Sequence, residues 1–228
     1  MALKLFLKPE KRFMKSYKTI LKNEEIETVV NKSRFVGHCA RVLNEEEAIG
    51  FIQDIKNSHR DATHNVFAYV IGLDNEIQRY SDDGEPNGTA GIPIINFLKN
   101  MELTNIAVVV TRYFGGIKLG TGGLARAYAG AARDAVEKGK IVEAKQFSRI
   151  RLGFDYSLIG KIENTLSQKK TLITEKVFDE KVAFVILAEK DEVTELLENL
   201  VNLTANQIAA TELESQYYLK DGSNIYDI

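Results

Sequence analysis

The chain has 228 residues, 44% of them hydrophobic and 27% charged, and a net charge of −2 at pH 7. This is the profile of a soluble globular protein with one large domain or two small ones. No apolar run reaches the ~18–20 residues that span a bilayer, so no membrane partner is expected, and the near-neutral charge gives no global attraction to nucleic acid.

Residues 1–13 alternate Leu3, Leu5, Phe6 and Leu7 with Lys4, Lys8, Lys11 and Arg12 ahead of Met14, and are expected to be an upstream extension. Residues 25–31 and 34–42 are rich in Val, Ile and Phe and predict two strands joined by a turn at Lys32-Ser33. Asn44 is placed to cap a helix whose first turn carries Glu45, Glu46 and Glu47, with a stripe of Ile49, Ile52 and Ile55 ending near Ser58-His59. Strands follow at 64–73 and 76–80. Ser81 to Gly91 is a loop by its Asp, Gly, Pro and Asn content. A helix over 92–100 has Pro93 in its first turn, where a missing N–H costs nothing. Ile106-Ala107-Val108-Val109-Val110 is an unbroken apolar run, which predicts a central strand covered on both faces.

Residues 112–126 hold five glycines and three cations between that strand and a small-residue helix over 122–138. Backbone N–H groups of Gly115, Gly116, Gly120, Gly122 and Gly123 can face an anion there, with Arg112, Lys118 and Arg126 supplying charge. Equally, the glycines can serve only tight loop-to-helix packing. The spacing matches neither GxxxxGK[ST] nor GxGxxG in strand–helix register, so a nucleotide fingerprint is absent. Tyr113 and Phe114 can stack on a ligand or plug the core beneath the loop, and one of each role is expected.

Asp82, Asp83 and Glu85 can act as oxygen ligands, pair with Arg112 or Lys118, or sit in a solvated turn capped by Ser81 or Thr89. His64, just before a strand, is a general-base candidate or a histidine hydrogen-bonded within its domain. No nucleophile on a strand–turn–helix elbow accompanies it. Cys39, in an apolar strand, is expected to be a small core residue. As the only cysteine it excludes an internal disulfide and suits a reducing cytoplasm; with three scattered histidines it makes no zinc signature, and no cofactor or metal is expected.

From about 146 the pattern resets: strands at 147–155, 171–178, 181–188 and 208–219 and helices at 157–168 and 191–201 spell β-α-β-β-α-β, the ferredoxin-like unit. Two domains follow, 14–143 and 144–228, in an α+β chain. Residues 145–228 carry 10 basic and 14 acidic side chains, so this half is not basic.

Gly91 to Leu98 followed by Ile106 to Gly120, with Ser33-Arg34-Phe35, Asp61 to Asn65 and Ser81 to Gly91, resembles the signature of the IMPACT family, also called the YigZ group. The resemblance covers about 17–138, and 147–220 is similar to the smaller second domain of bacterial members. At 66, where members often carry Cys, this chain has Val66, so no thiol mechanism transfers. The resemblance implies a left-handed βαβ first domain similar to domain two of ribosomal protein S-five, and a ferredoxin-like second domain similar to one in elongation factor G. It also implies a non-enzymatic cytoplasmic factor linked to regulation of translation, its partner RNA, the ribosome or a translation-associated protein. Eukaryotic relatives regulate translation by binding the activator of an initiation-factor kinase. Two alternatives stay open. One is a hydrolase-like small-molecule enzyme using a cleft between loops 81–91 and 112–126. The other is a protein-interaction module without nucleic acid.

Overall fold

A computed structural model describes residues 15–228; the extension expected over 1–13 lies outside the described residues. The α+β class holds. The chain divides into two compact units, one of them Tyr17–Glu143 and the other containing Ala144–Ile228.

In the first unit, β1 (Tyr17–Ile20), β2 (Glu24–Val30), β3 (Ser33–Arg41), α1 (Glu45–Ser58), β4 (His64–Ile71), β5 (Ile77–Ser81), α2 (Gly91–Asn100), β6 (Ile106–Tyr113) and α3 (Gly120–Gly139) follow in order. The sheet order is β2-β3-β6-β4-β5. Because β3 and β4 both pair antiparallel with β6, they run parallel to each other, and α1 makes the crossover of a βαβ unit. The β2–β3 turn is Asn31-Lys32, not Lys32-Ser33. Both residues have positive φ, the pattern of a two-residue primed hairpin turn.

The apolar run of β6 is buried on both faces because alternate residues serve two cores. Ile106, Val108 and Val110 pack with α2 and α3, while Ala107 and Val109 face α1. Asn44 caps α1 through its Oδ1, which accepts from the Glu47 N–H at 2.9 Å, and Glu47 in turn accepts from the Leu43 N–H. Ile49 is exposed, contrary to the expected stripe. Ala48, Phe51, Ile52 and Ile55 form the core-facing side, and Ile49 lies about a quarter turn off it at 100° per residue.

Close packing of α3 on the sheet has a specific cause. A Cβ on Gly37 in β3 would come 2.3 Å from the Ala131 carbonyl oxygen and 3.2 Å from the Ala135 Cβ, so only glycine opposite alanines permits this helix–strand approach. Cys39 is part of the same contact: its thiol donates to the Ala135 carbonyl, and burial pushes it up to about 11, which keeps it a neutral core group.

β7 (Ile141–Phe154) begins in the last residues of the first unit and continues into the second, where α4 (Ile159–Gln168), β8 (Leu172–Phe178), β9 (Val182–Glu189), α5 (Val193–Leu203), β10 (Ile208–Asp221) and β11 (Asn224–Asp227) follow. The order β10-β7-β9-β8 is the ferredoxin-like arrangement, with β11 added as a hairpin on β10. Both helices pack on one face, where Ile162, Leu166, Leu196 and Leu200 meet Ile150, Leu152, Phe184 and Ile186. On the other face Phe147, Leu187 and Tyr218 cluster beside a groove of about 440 Å³. The sequence pattern did not predict β1 or β11, and it began β7 at 147 rather than Ile141. Each missed stretch is short or polar, and its strand state depends on a partner strand.

Gly37→Ala tests the close approach. It is expected to destabilise the first unit by about 1–3 kcal/mol, the cost of overpacking a tight core, read as a lower urea midpoint; an unchanged midpoint would show that α3 can shift freely.

Candidate functional site

Three side chains form a row across the end of the first unit's sheet, on the α3 side. Arg112 in β6 is in register with Phe35 in β3 and His64 in β4. Glu85 comes to this row from the loop between β5 and α2, and Tyr128 from the third turn of α3. Arg112 Nη1 donates to Glu85 Oε1 at 2.5 Å, and the Tyr128 hydroxyl donates to the same oxygen at 2.8 Å. His64 Nε2 stands 3.8 Å from that oxygen. Arg112 and Glu85 are only 5% and 8% exposed, and Tyr128 is fully buried. A carboxylate taken this far out of water persists as an ion only if it is paired and hydrogen-bonded. Burial, and then the Glu85 charge, drive the Tyr128 phenol far above its usual value, so it remains a neutral donor. The second guanidinium nitrogen reaches Ser33 Oγ at 3.4 Å, and that hydroxyl also accepts the Gly115 N–H at 3.1 Å.

The other two acidic candidates turn away from this row. The Asp82 carboxylate accepts from the N–H groups of Gly88, Ala90 and Gly91 at 2.8, 3.0 and 2.8 Å. It thereby caps α2, whose own N-cap residue, Ala90, has no side chain for the task. Asp83 pairs with Lys56 at 2.8 Å through one oxygen and accepts the Asn65 N–H at 2.7 Å through the other. Its carbonyl lies 2.8 Å from His64 Nδ1, which orients the imidazole. Loop 81–91 is therefore an anchored element and not the solvated turn that composition allowed. Its three carboxylates point at three different partners, which leaves no shared cation cage and no pair of carboxylates facing one substrate.

The 112–126 segment also divides. Arg112 is buried in its pair with Glu85 and offers no free charge at the surface. Tyr113 faces the α1 side: its hydroxyl is 2.8 Å from His59 Nδ1, and the Arg34 guanidinium lies 4.1 Å over its ring. Phe114 is 48% exposed. Gly115 is required by a close approach, since a Cβ there would lie 2.0 Å from the Lys32 carbonyl. Gly116 is exposed in the loop; Gly120, Gly122 and Gly123 lie in the first turn of α3, which has no side-chain cap and no acidic residue. Lys118 and Arg126 flank that turn. Both are exposed, and among the described residues neither has an ion-pair partner. The Arg126 guanidinium folds back over the turn, 3.6 Å from where a Gly122 Cβ would be.

One arrangement was missed by the sequence reading. His38, 3% exposed on the α1 face, lies 5.1 Å ring to ring from His59 and 3.5 Å from Glu25, and its Nε2 has no partner. Burial, and then His59, pull it down to about 4 against the opposing charge of Glu25. Alternation places His38 on this face, but nothing in the sequence places His59 opposite it.

Comparison with known proteins places these residues in a family context. The profile of the Impact N-terminal domain matches residues 31–136, and that of a domain of unknown function, DUF1949, matches 152–207. The IMPACT family member YvyE of Bacillus subtilis is 43% identical over 210 residues, covering 92% of this chain and 97% of that one. The IMPACT family member YigZ of Escherichia coli is 37% identical over 141 residues, covering 61% and 69%. A crystal structure described as that of an hypothetical protein aligns with TM-score 0.57 at 30% identity, covering 88% of this chain and 98% of that one.

Two outcomes follow from the buried groups. Glu85→Gln keeps the shape but strands the Arg112 charge; it is expected to cost about 3–5 kcal/mol in urea unfolding, and Glu85→Leu combined with Arg112→Met is expected to cost less than the single change. For His38, the unfolded side chain takes a proton near 6.5 while the folded one resists until about 4. Stability is therefore undiminished above 6.5 and falls as pH drops from 6.5 to about 4, by about 3 kcal/mol. His38→Leu is expected to flatten that part of the stability–pH curve, and an equal slope in both proteins would refute the assignment.

Proposed function

The chain belongs to the IMPACT family, and from that premise we propose that it is a non-enzymatic factor linked to translation, engaging RNA or the ribosome through the exposed part of the 114–126 segment. One observation carries the reading. Lys118 and Arg126 stand exposed, without ion-pair partners among the described residues, at the uncapped start of a 20-residue helix. The nearby acids of loop 81–91 are bound internally to Arg112, Lys56 and the α2 N-terminus. An uncapped helix start presents free N–H groups and the positive end of the helix dipole, and the two cations add charge of the same sign. That combination suits a phosphate backbone better than a neutral ligand.

The link to translation is what the resemblance to the family implies. The hydrolase-like reading is less favoured because Asp82, Asp83 and Glu85 are each bound to separate internal partners, so His64 has no free carboxylate to work with across a common cleft. A module that binds only protein is separated from the first reading by the same experiment. The full chain is incubated with ribosomes and sedimented at about 50 and about 200 mM salt, with and without nuclease treatment. The expected result is association at low salt that is lost at high salt, and weakening by Lys118→Ala with Arg126→Ala, because each lost phosphate contact reduces the salt slope by about 0.7–0.9. Absence of association at low salt, or association indifferent to both salt and the double substitution, would overturn the reading.

A further inference from the structure

Phe114 is the one aromatic side chain of the 112–126 segment that is left open to solvent, at 48% exposure, and its own N–H and that of the next residue are both hydrogen-bonded. The Phe114 N–H donates to Thr63 Oγ1 at 3.0 Å, the Thr63 N–H donates to the Arg112 carbonyl at 2.8 Å, and the next N–H, of Gly115, donates to Ser33 Oγ at 3.1 Å. Beneath the ring, the buried Arg112 guanidinium sits 5.4 Å from the centroid. The ring is thus held in a fixed position by hydrogen bonds of its own and neighbouring backbone, is backed on one side by a favourable cation–π contact, and keeps about half its surface open to a stacking partner. Two exposed lysines lie on the chain segments that adjoin it. Lys118 lies four residues along the same loop. Lys32 is brought alongside by the backbone contact with Gly115 and is exposed. Arg34 is discounted, because Glu27 stands 3.7 Å from it.

We infer that Phe114 is a stacking platform for one base of a single-stranded RNA segment, with Lys32 and Lys118 on the flanking phosphates. This inference rests on the reading above that the segment meets an anionic partner of translation. Single-stranded RNA is favoured over duplex because a duplex keeps its base faces stacked on one another, whereas an unpaired base has a free π face. It is favoured over an acidic peptide because carboxylates would satisfy the lysines but leave the ring uncovered. The guanidinium beneath Phe114 polarises the ring from the protein side, and its own charge is already matched by Glu85, so the stack does not depend on Arg112 touching the RNA.

The test uses the full chain and four labelled probes: an oligouridylate, an abasic ribose-phosphate strand of equal length, an RNA duplex and a polyglutamate peptide. Wild type is expected to bind the oligouridylate more tightly than the abasic strand or the duplex. Phe114→Ala is expected to lose about ten-fold in affinity for the oligouridylate and nothing for the abasic strand, with Phe114→Trp restoring the loss; a stacked base is worth about that factor. Lys32→Ala with Lys118→Ala is expected to weaken both strands alike. Equal, salt-dependent affinity of wild type and Phe114→Ala for the oligouridylate would overturn the stacking platform and leave the anionic-partner reading standing. Tighter binding of duplex or of polyglutamate would overturn the platform as well. Failure of all four probes together with failure to sediment with ribosomes would overturn both.

Discussion

One buried carboxylate holds one end of the first unit's sheet together. Glu85 sits inside the protein only because Arg112 and Tyr128 both donate to it, and in doing so it joins three pieces of chain: loop 81–91, the end of β6 and α3. Removing a carboxylate from water costs several kcal/mol, so the loop that carries it has a narrow choice of positions. With Glu85 placed, Asp82 comes over the N–H groups that start α2, and Asp83 comes between Lys56 and the Asn65 N–H. The acidic loop thus behaves as an internal clamp, and its charges are matched before any partner arrives.

The same pair decides what the surface offers. Arg112 is drawn inward, so the cations left outside are Lys118, Arg126 and Lys32. The strand end that buries Arg112 also turns out Phe114 on a backbone fixed by Thr63 and Ser33. Placement of α3 depends on a second constraint, the missing side chain at Gly37, which lets the alanine face of the helix meet β3. Electrostatics at one end and steric fit in the middle therefore act on one helix, and its uncapped first turn is where both effects reach the surface. The second unit is built more simply, on the separation of a helix-covered face from one carrying Phe147, Leu187 and Tyr218.

Much of the fold was legible in the residues alone. Apolar, β-branched runs and helical spacing located all five strands of the first sheet and all five helices, because both are properties of residues adjacent along the chain. Asn44 announced the start of α1, since a side-chain acceptor followed by acids suits free N–H groups. The continuous Ile106 to Val110 run announced a strand covered twice. The order of elements after 146 was enough for the ferredoxin-like unit, and the glycine-rich segment with its flanking motifs was enough for the family.

The site was another matter. Sequence by itself determined that cations, acids, aromatics and glycines gather around 61–65, 81–91 and 112–126. It did not determine which cation meets which acid, and so it treated Arg112, Lys118 and Arg126 as one set and Asp82, Asp83 and Glu85 as another. Tertiary structure alone divided them, placing Arg112 and Glu85 inside and Lys118, Arg126 and Phe114 outside, and it set His38 against His59 across two elements. The physical reason is that a charge's role is fixed by its desolvation and its partner. Both are properties of segments that meet only when the chain folds, whereas periodicity, capping and apolar runs are properties of neighbours along the chain.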